Sequence, residues 1–112
     1  MRIELQTNGL ELTSDVREHV ERRFGYALAP AHMRNGRARV RLSDENGPRG
    51  GNDKRCRVQL AIEGMTEIVI EDTQADIKVA IDRAADRLGS TLSRRLMRLR
   101  QRTATPVRRM AG

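Results

Sequence analysis

Ala75-Asp76-Ile77-Lys78-Val79-Ala80-Ile81-Asp82-Arg83-Ala84-Ala85-Asp86-Arg87-Leu88-Gly89-Ser90-Thr91-Leu92-Ser93-Arg94-Arg95-Leu96-Met97-Arg98-Leu99-Arg100-Gln101-Arg102 is the stretch whose reading decides the fold. Ile77, Ile81, Ala84, Leu88, Leu92 and Leu99 recur at spacings of three, four and seven, which predicts one long helix with a single buried stripe. Arg83, Arg87, Arg94 and Arg98 fall in a narrow wedge beside that stripe. At 1.5 Å rise per residue they form a basic ridge roughly 22 Å long. Asp82 and Asp86 are predicted to turn outward on a third face, where they do not interrupt it. Taken alone, such a ridge is also what an ordinary solvated helix face can carry.

The remaining composition narrows the choice. A chain of 112 residues has room for one domain with a modest core. Its aromatic residues are Phe24 and Tyr26, so the core must be aliphatic. The 22 cations are twenty arginines with Lys54 and Lys78, against 15 acids, for a net charge of +7. That balance implies a polyanionic partner such as nucleic acid, or less often an anionic membrane surface. Arginine suits bidentate phosphate contact, although a GC-rich genome would also raise its share. The single cysteine excludes an intramolecular disulfide and fits a reducing cytoplasm. Neither a signal peptide nor an apolar run of membrane-spanning length is present, so no membrane partner is expected.

Working outward, Arg2 to Gln6 alternates and reads as a first strand, with Ile3 and Leu5 on one face. Asn8-Gly9 marks a turn, and Thr13 or Ser14 is the expected N-cap of a first helix. Val16, Val20, Phe24 and Leu28 form its apolar stripe, and Pro30 closes it. Gly36 to Ser43 and Lys54 to Glu63 alternate as two strands of a hairpin around the glycine-rich loop 44–53. Ala38, Val40, Leu42, Cys56, Val58, Leu60 and Ile62 point inward, leaving Arg37, Arg39, Arg41, Arg55 and Arg57 on the outer face.

Glu67 to Asp72 reads as a fourth strand with two candidate registers. A two-residue turn at Gly64-Met65 pairs Leu60 with Val69 and sends Glu67 and Glu71 inward. A three-residue turn or a bulge sends Ile68 and Ile70 inward instead, and is preferred because burying two isoleucines costs less than burying two carboxylates. Thr73 is then expected to cap the second helix, with Asp76 in a near capping box. The order β-α-β-β-β-α predicts an α+β fold: a four-stranded mixed sheet with two helices on one face and the first two strands parallel. The second helix, about 42 Å over 75–102, is longer than a strand of about 23 Å. Leu96 and Leu99 are therefore expected to overhang the sheet, either folding back or meeting a partner. Residues 103–112 read as a basic, disordered tail after a single domain at 1–102.

Candidate chemistry is electrostatic. Five arginines on neighbouring strands repel one another. This favours an anion-binding role over a face simply neutralised by Glu4, Glu67 or Glu71. The glycine loop could form an anion nest, a weak signal with no helix after it. Cys56 reads as a small core residue, and His19 and His32 have no metal-ligand spacing. Asp72 and Asp76 read as acids near a helix start rather than as magnesium ligands. No nucleophile, base and orienting group assemble, which argues against an enzyme, and no cofactor or small-molecule substrate is expected.

Asp76-Ile77-Lys78-Val79-Ala80-Ile81-Asp82-Arg83 resembles the start of the second helix of the short ribosome hibernation promoting factors, the ribosome-associated inhibitor and subunit-interface family. Met1-Arg2-Ile3-Glu4-Leu5, Leu10-Glu11-Leu12-Thr13 and Val16-Arg17-Glu18-His19-Val20-Glu21 are similar to its first strand and helix, and the likeness covers roughly residues 1 to 100. It implies binding to ribosomal RNA of the small subunit in the decoding channel, where the domain would block messenger and transfer RNA during stress or stationary phase. Carried over by position, Lys78, Arg83, Arg87, Arg94, Arg95 and Arg98 are the RNA-binding candidates on helix two, with the five outer-face arginines beside them. Lys78 stands where many members carry tyrosine, the 44–53 loop looks long, and Gly89 interrupts helix two. The second domain by which long members pair ribosomes is lacking, so dimerisation of ribosomes is not expected. Two other readings remain open: a basic module that self-associates through the helix-two end or binds an acidic protein, and a binder of non-ribosomal double-stranded RNA.

Overall fold

Two alternating nine-residue strands form the centre of the fold. In the computed structural model, residues 1–45 and 53–101 are described in full, and for 102–111 the helical backbone alone. The elements are β1 (Arg2–Asn8), α1 (Ser14–Leu28), a 3-10 turn (Ala29–Ala31), β2 (Gly36–Asp44), β3 (Lys54–Ile62), β4 (Ile68–Gln74) and α2 (Ile77–Ala111). The glycine loop expected between β2 and β3 lies almost wholly outside the described residues.

The sheet order is β1-β2-β3-β4. β1 runs parallel to β2, with Leu5 opposite Val40, and the other two pairings are antiparallel. Alternation sends Ala38, Val40, Leu42, Cys56, Val58, Leu60 and Ile62 to one buried face. Val16, Val20, Phe24 and Leu28 of α1 join that cluster, and α2 packs over β3 and β4 with α1 beside it. The core is aliphatic apart from Phe24, as the composition requires.

The fourth strand adopts the register that buries isoleucine. Leu60 faces Ile68 and Val58 faces Ile70, so the hairpin is centred on Gly64. An odd number of connecting residues flips the side-chain parity relative to a two-residue turn. Ile68 and Ile70 are buried and Val69 is exposed. The Met65 amide donates to the Ile62 carbonyl at 3.0 Å, and Gly64 has φ +82°. That left-handed backbone is one a glycine adopts without cost.

Three local expectations change. Thr13 caps α1, its Oγ1 accepting from the Val16 amide at 3.2 Å, but Thr73 does not cap α2. Thr73 stays in β4 opposite Arg55, and strand pairing carries the chain past it. The cap is Asp76: its carboxylate accepts from the Lys78 amide at 2.8 Å, and its carbonyl from the Ala80 amide at 3.1 Å. Secondly, α2 begins at Ile77 and continues beyond Arg102 to Ala111. The expectation of a disordered tail falls on residues of which only that helical backbone is described. Thirdly, the two leucines expected at the overhanging end of α2 part company. Leu96 is buried with Leu92 in the core, whereas Leu99 is half-buried.

Candidate nucleic-acid interface

Helix α2 is sorted by sign across its two flanks. On the flank towards α1, Arg23 donates from Nε to Asp82 at 2.9 Å and from a terminal nitrogen to Asp86 at 2.7 Å. The His19 ring lies 2.7 Å from the same Asp82 carboxylate. Asp82 and Asp86 are therefore not simply turned to solvent; they bind the two helices together. Lys78 belongs to this flank too, with its ammonium paired to Asp15 of α1. Asp15 is held below the ordinary carboxylate range by the Lys78 hydrogen bond and charge.

The opposite flank lies along β4, an edge strand. Arg83 and Arg87 approach one carboxylate oxygen of Asp72 at 3.7 and 3.6 Å. Arg87 also donates to the Glu71 carbonyl at 2.7 Å, and Arg95 to the Thr66 carbonyl at 3.3 Å. Arg94 reaches the Thr91 hydroxyl at 3.5 Å. Among the described residues, Arg94 and Arg98 form no ion pair. The helical geometry that aligns Arg83, Arg87, Arg94 and Arg98 thus survives as a surface, with Asp72 as its one paired carboxylate.

The outer sheet face is more neutral than its sequence suggests. Arg37 and Arg39 share Glu4 at 3.8 and 3.5 Å. Arg55 lies 3.4 Å from Glu45 and 3.7 Å from Glu71, and Arg57 is bonded to Glu71 at 3.0 Å. Arg41 stands opposite Arg57 and contacts only the Gln6 amide oxygen, at 3.4 Å. Interleaved acids relieve most of the like-charge cost, leaving Arg41 as the least compensated cation of the five among the described residues.

Both basic surfaces meet at Glu71: its carboxylate serves Arg55 and Arg57 on the outer face and its carbonyl serves Arg87 on the helix side. A groove lined by Glu4, Gln6, Arg39, Arg41, Arg57 and Gln59 runs across the outer face.

A match to the Sigma 54 modulation protein / S30EA ribosomal protein family spans residues 3–100. The chain belongs to that family. The N-terminal domain of Thermus thermophilus Protein Y is similar at 28% identity and a TM-score of 0.67, covering 84% of this chain and 98% of that one. A ribosomal subunit interface protein from Coxiella burnetii shares the fold at a TM-score of 0.71 and 16% identity, covering 84% of this chain and 96% of that one. No curated protein sequence matches.

Within this family member, the structure brings Arg83, Arg87, Arg94 and Arg98 together, sets Arg95 beside them at the β3–β4 turn, and separates Lys78. Asp72, read from the sequence as an acid near a helix start, instead lies within β4 and faces Arg83 and Arg87. It continues the inward parity of Ile68 and Ile70, and that two-residue step was the available signal. Its side chain, 11% exposed, is oriented by the Gln74 amide at 2.7 Å. Cys56, opposite Asp72, is fully buried, and burial, then the Asp72 charge, pushes its thiol up to about 12. Such a thiol is not a nucleophile at neutral pH. The described residues hold no cluster of three potential metal ligands and no helix long and apolar enough to cross a membrane.

Proposed function

We propose that this protein is a ribosome-associated hibernation factor that docks on small-subunit ribosomal RNA through the β4-side flank of α2 and occludes the messenger and transfer RNA channel. The observation that carries the reading is the sorting of α2: its acids are tied to α1, and four aligned arginines are left on the opposite flank. Family membership and the likeness to Protein Y support it. The chemistry is non-enzymatic. Phosphate contacts position the domain, and the shape of the folded RNA selects the site. The outer-face arginines, above all Arg41 on β2, add a secondary positive surface on the other face of the sheet.

Co-sedimentation with purified small subunits tests this. Glutamine at positions 83, 87, 94 and 98 together should abolish pelleting while circular dichroism stays native. Glutamine is preferred to glutamate because a new acid at position 83 or 87 would repel Asp72. Unchanged pelleting would reject the ridge as the binding surface. Occlusion is read separately, as loss of messenger-dependent transfer RNA binding at equal occupancy.

A further inference from the structure

Where α2 passes the β3–β4 turn, Gly64, Met65, Thr66, Arg95, Arg98 and Leu99 enclose a pocket of about 340 Å³. Its walls differ from the rest of the ridge. Arg95 donates from one terminal nitrogen to the Thr66 carbonyl at 3.3 Å, which tethers the guanidinium beside the turn and, among the described residues, leaves its other donors unused. Met65 and Leu99, both half-buried, supply apolar surface. Arg98 is exposed and forms no ion pair among the described residues. Among the described residues, no carboxylate lines the pocket.

A tethered guanidinium, a polarizable thioether, an aliphatic side chain and a second guanidinium with no ion pair among the described residues are groups suited to holding one nucleotide. The base stacks against Arg95, Met65 and Leu99, and its phosphate meets Arg98. A bare phosphate would leave the apolar wall unused, and an apolar peptide side chain would leave two cations beside it uncompensated. We infer that this pocket receives a single unstacked nucleotide of the RNA along which the ridge docks. The inference rests on the proposed RNA-binding function and adds base recognition to contacts otherwise made with phosphates.

Chemical probing of small subunits tests it, with wild-type protein and with Leu99→Ser, a variant outside the buried core that leaves the charge unchanged. Wild-type protein should protect at least one unpaired base from base-specific reagents, alongside backbone protection from hydroxyl radicals. Leu99→Ser should restore that base to its free reactivity while the backbone footprint persists, and weaken subunit binding about tenfold. Arg98→Gln should act in the same direction. Identical base protection by wild type and both variants would overturn the inference, as would backbone protection with no base protected. Absence of every footprint would instead remove the proposed function itself. A parallel titration with adenosine, guanosine, cytidine and uridine monophosphates separates the sources. Saturable binding of a free nucleotide without any base footprint would assign the pocket to a soluble nucleotide and overturn the RNA assignment.

Discussion

Replacing Arg94 and Arg98 together by glutamine isolates electrostatic docking from folding. Neither guanidinium pairs with a carboxylate among the described residues, and both are exposed. Their loss should leave the melting temperature within about 2 °C of wild type, as expected of a combined surface change worth under about 0.5 kcal/mol. The effect on binding is large. If each of the four ridge arginines neutralises one phosphate, the slope of log K against log salt is about −3. Affinity then falls about 60-fold between about 50 and about 200 mM salt. Removing two contacts halves the slope to about −1.5, so the same change of salt costs only about 8-fold. Filter binding to small subunits across that range measures both slopes. The companion pair, Arg83→Gln with Arg87→Gln, should also lower thermal stability, because it strands the mostly buried Asp72 carboxylate. An unchanged salt slope in the first double variant, or a loss of stability equal to that of the second, would refute the division of the ridge into docking and anchored arginines.

Other consequences are read without RNA. Gly89 lies mid-helix against α1, and a Cβ there would sit 3.6 Å from the Ala27 Cβ, in ordinary contact. Gly89→Ala should therefore stabilise by about 0.5–1 kcal/mol in urea unfolding. Gly36→Ala should do the reverse, since its Cβ would meet the Ala61 carbonyl at 2.7 Å; a denaturation midpoint no lower than wild type would contradict that geometry. The Cys56 thiol should resist a disulfide-exchange reagent at pH 8 in native protein and react at once in denaturant. For Asp15, whose pKa lies below 3.8 when folded, the Lys78 pair contributes stability above the unfolded value and loses it as pH falls through the folded one. Asp15→Asn should accordingly lower the melting temperature slightly at pH 7 and leave it unchanged once wild-type Asp15 is itself protonated.

Much of the fold was legible because its periodicities are clean. The two inward rows of β2 and β3 and the α2 stripe each specify a face without reference to the rest of the chain. The β4 register required a comparison of burial costs, Ile68 and Ile70 against Glu67 and Glu71, and that comparison gave the observed answer. Thr73 misled because a good capping residue was also a good strand residue, and pairing with Arg55 held it in the sheet. The overhang of Leu96 was a length estimate that treated α2 as ending its contacts with the strands. In the structure Leu96 joins the core, while Arg95 reaches the carbonyl at Thr66. Spacing could align Arg83, Arg87, Arg94 and Arg98 on one side of α2 because helical phase is local. It could not place Lys78, whose partner Asp15 is 63 residues away, or reveal that Glu4, Glu45 and Glu71 quench the outer-face arginines.

The β4 edge gives the arginines of α2 a structural role beside the docking role proposed for them. An edge strand presents unpaired carbonyls and invites pairing with another chain. Arg87 occupies one of those carbonyls, at Glu71, and Arg95 binds the Thr66 carbonyl in the turn that leads into the strand. A positively charged side chain over an edge discourages strand addition, and the same charge attracts phosphate. The arginines nearest the sheet thus gain their fixed positions from the backbone they cover. Among the described residues Arg94 and Arg98 have no carboxylate partner, so in the proposed function they are the cations left for RNA phosphates. In the proposed docking, anchored arginines would define the line of approach at little further cost in entropy, and those without a carboxylate partner would supply counterion release. A surface whose arginines were all anchored would dock weakly, and one whose arginines were all free would dock without orientation.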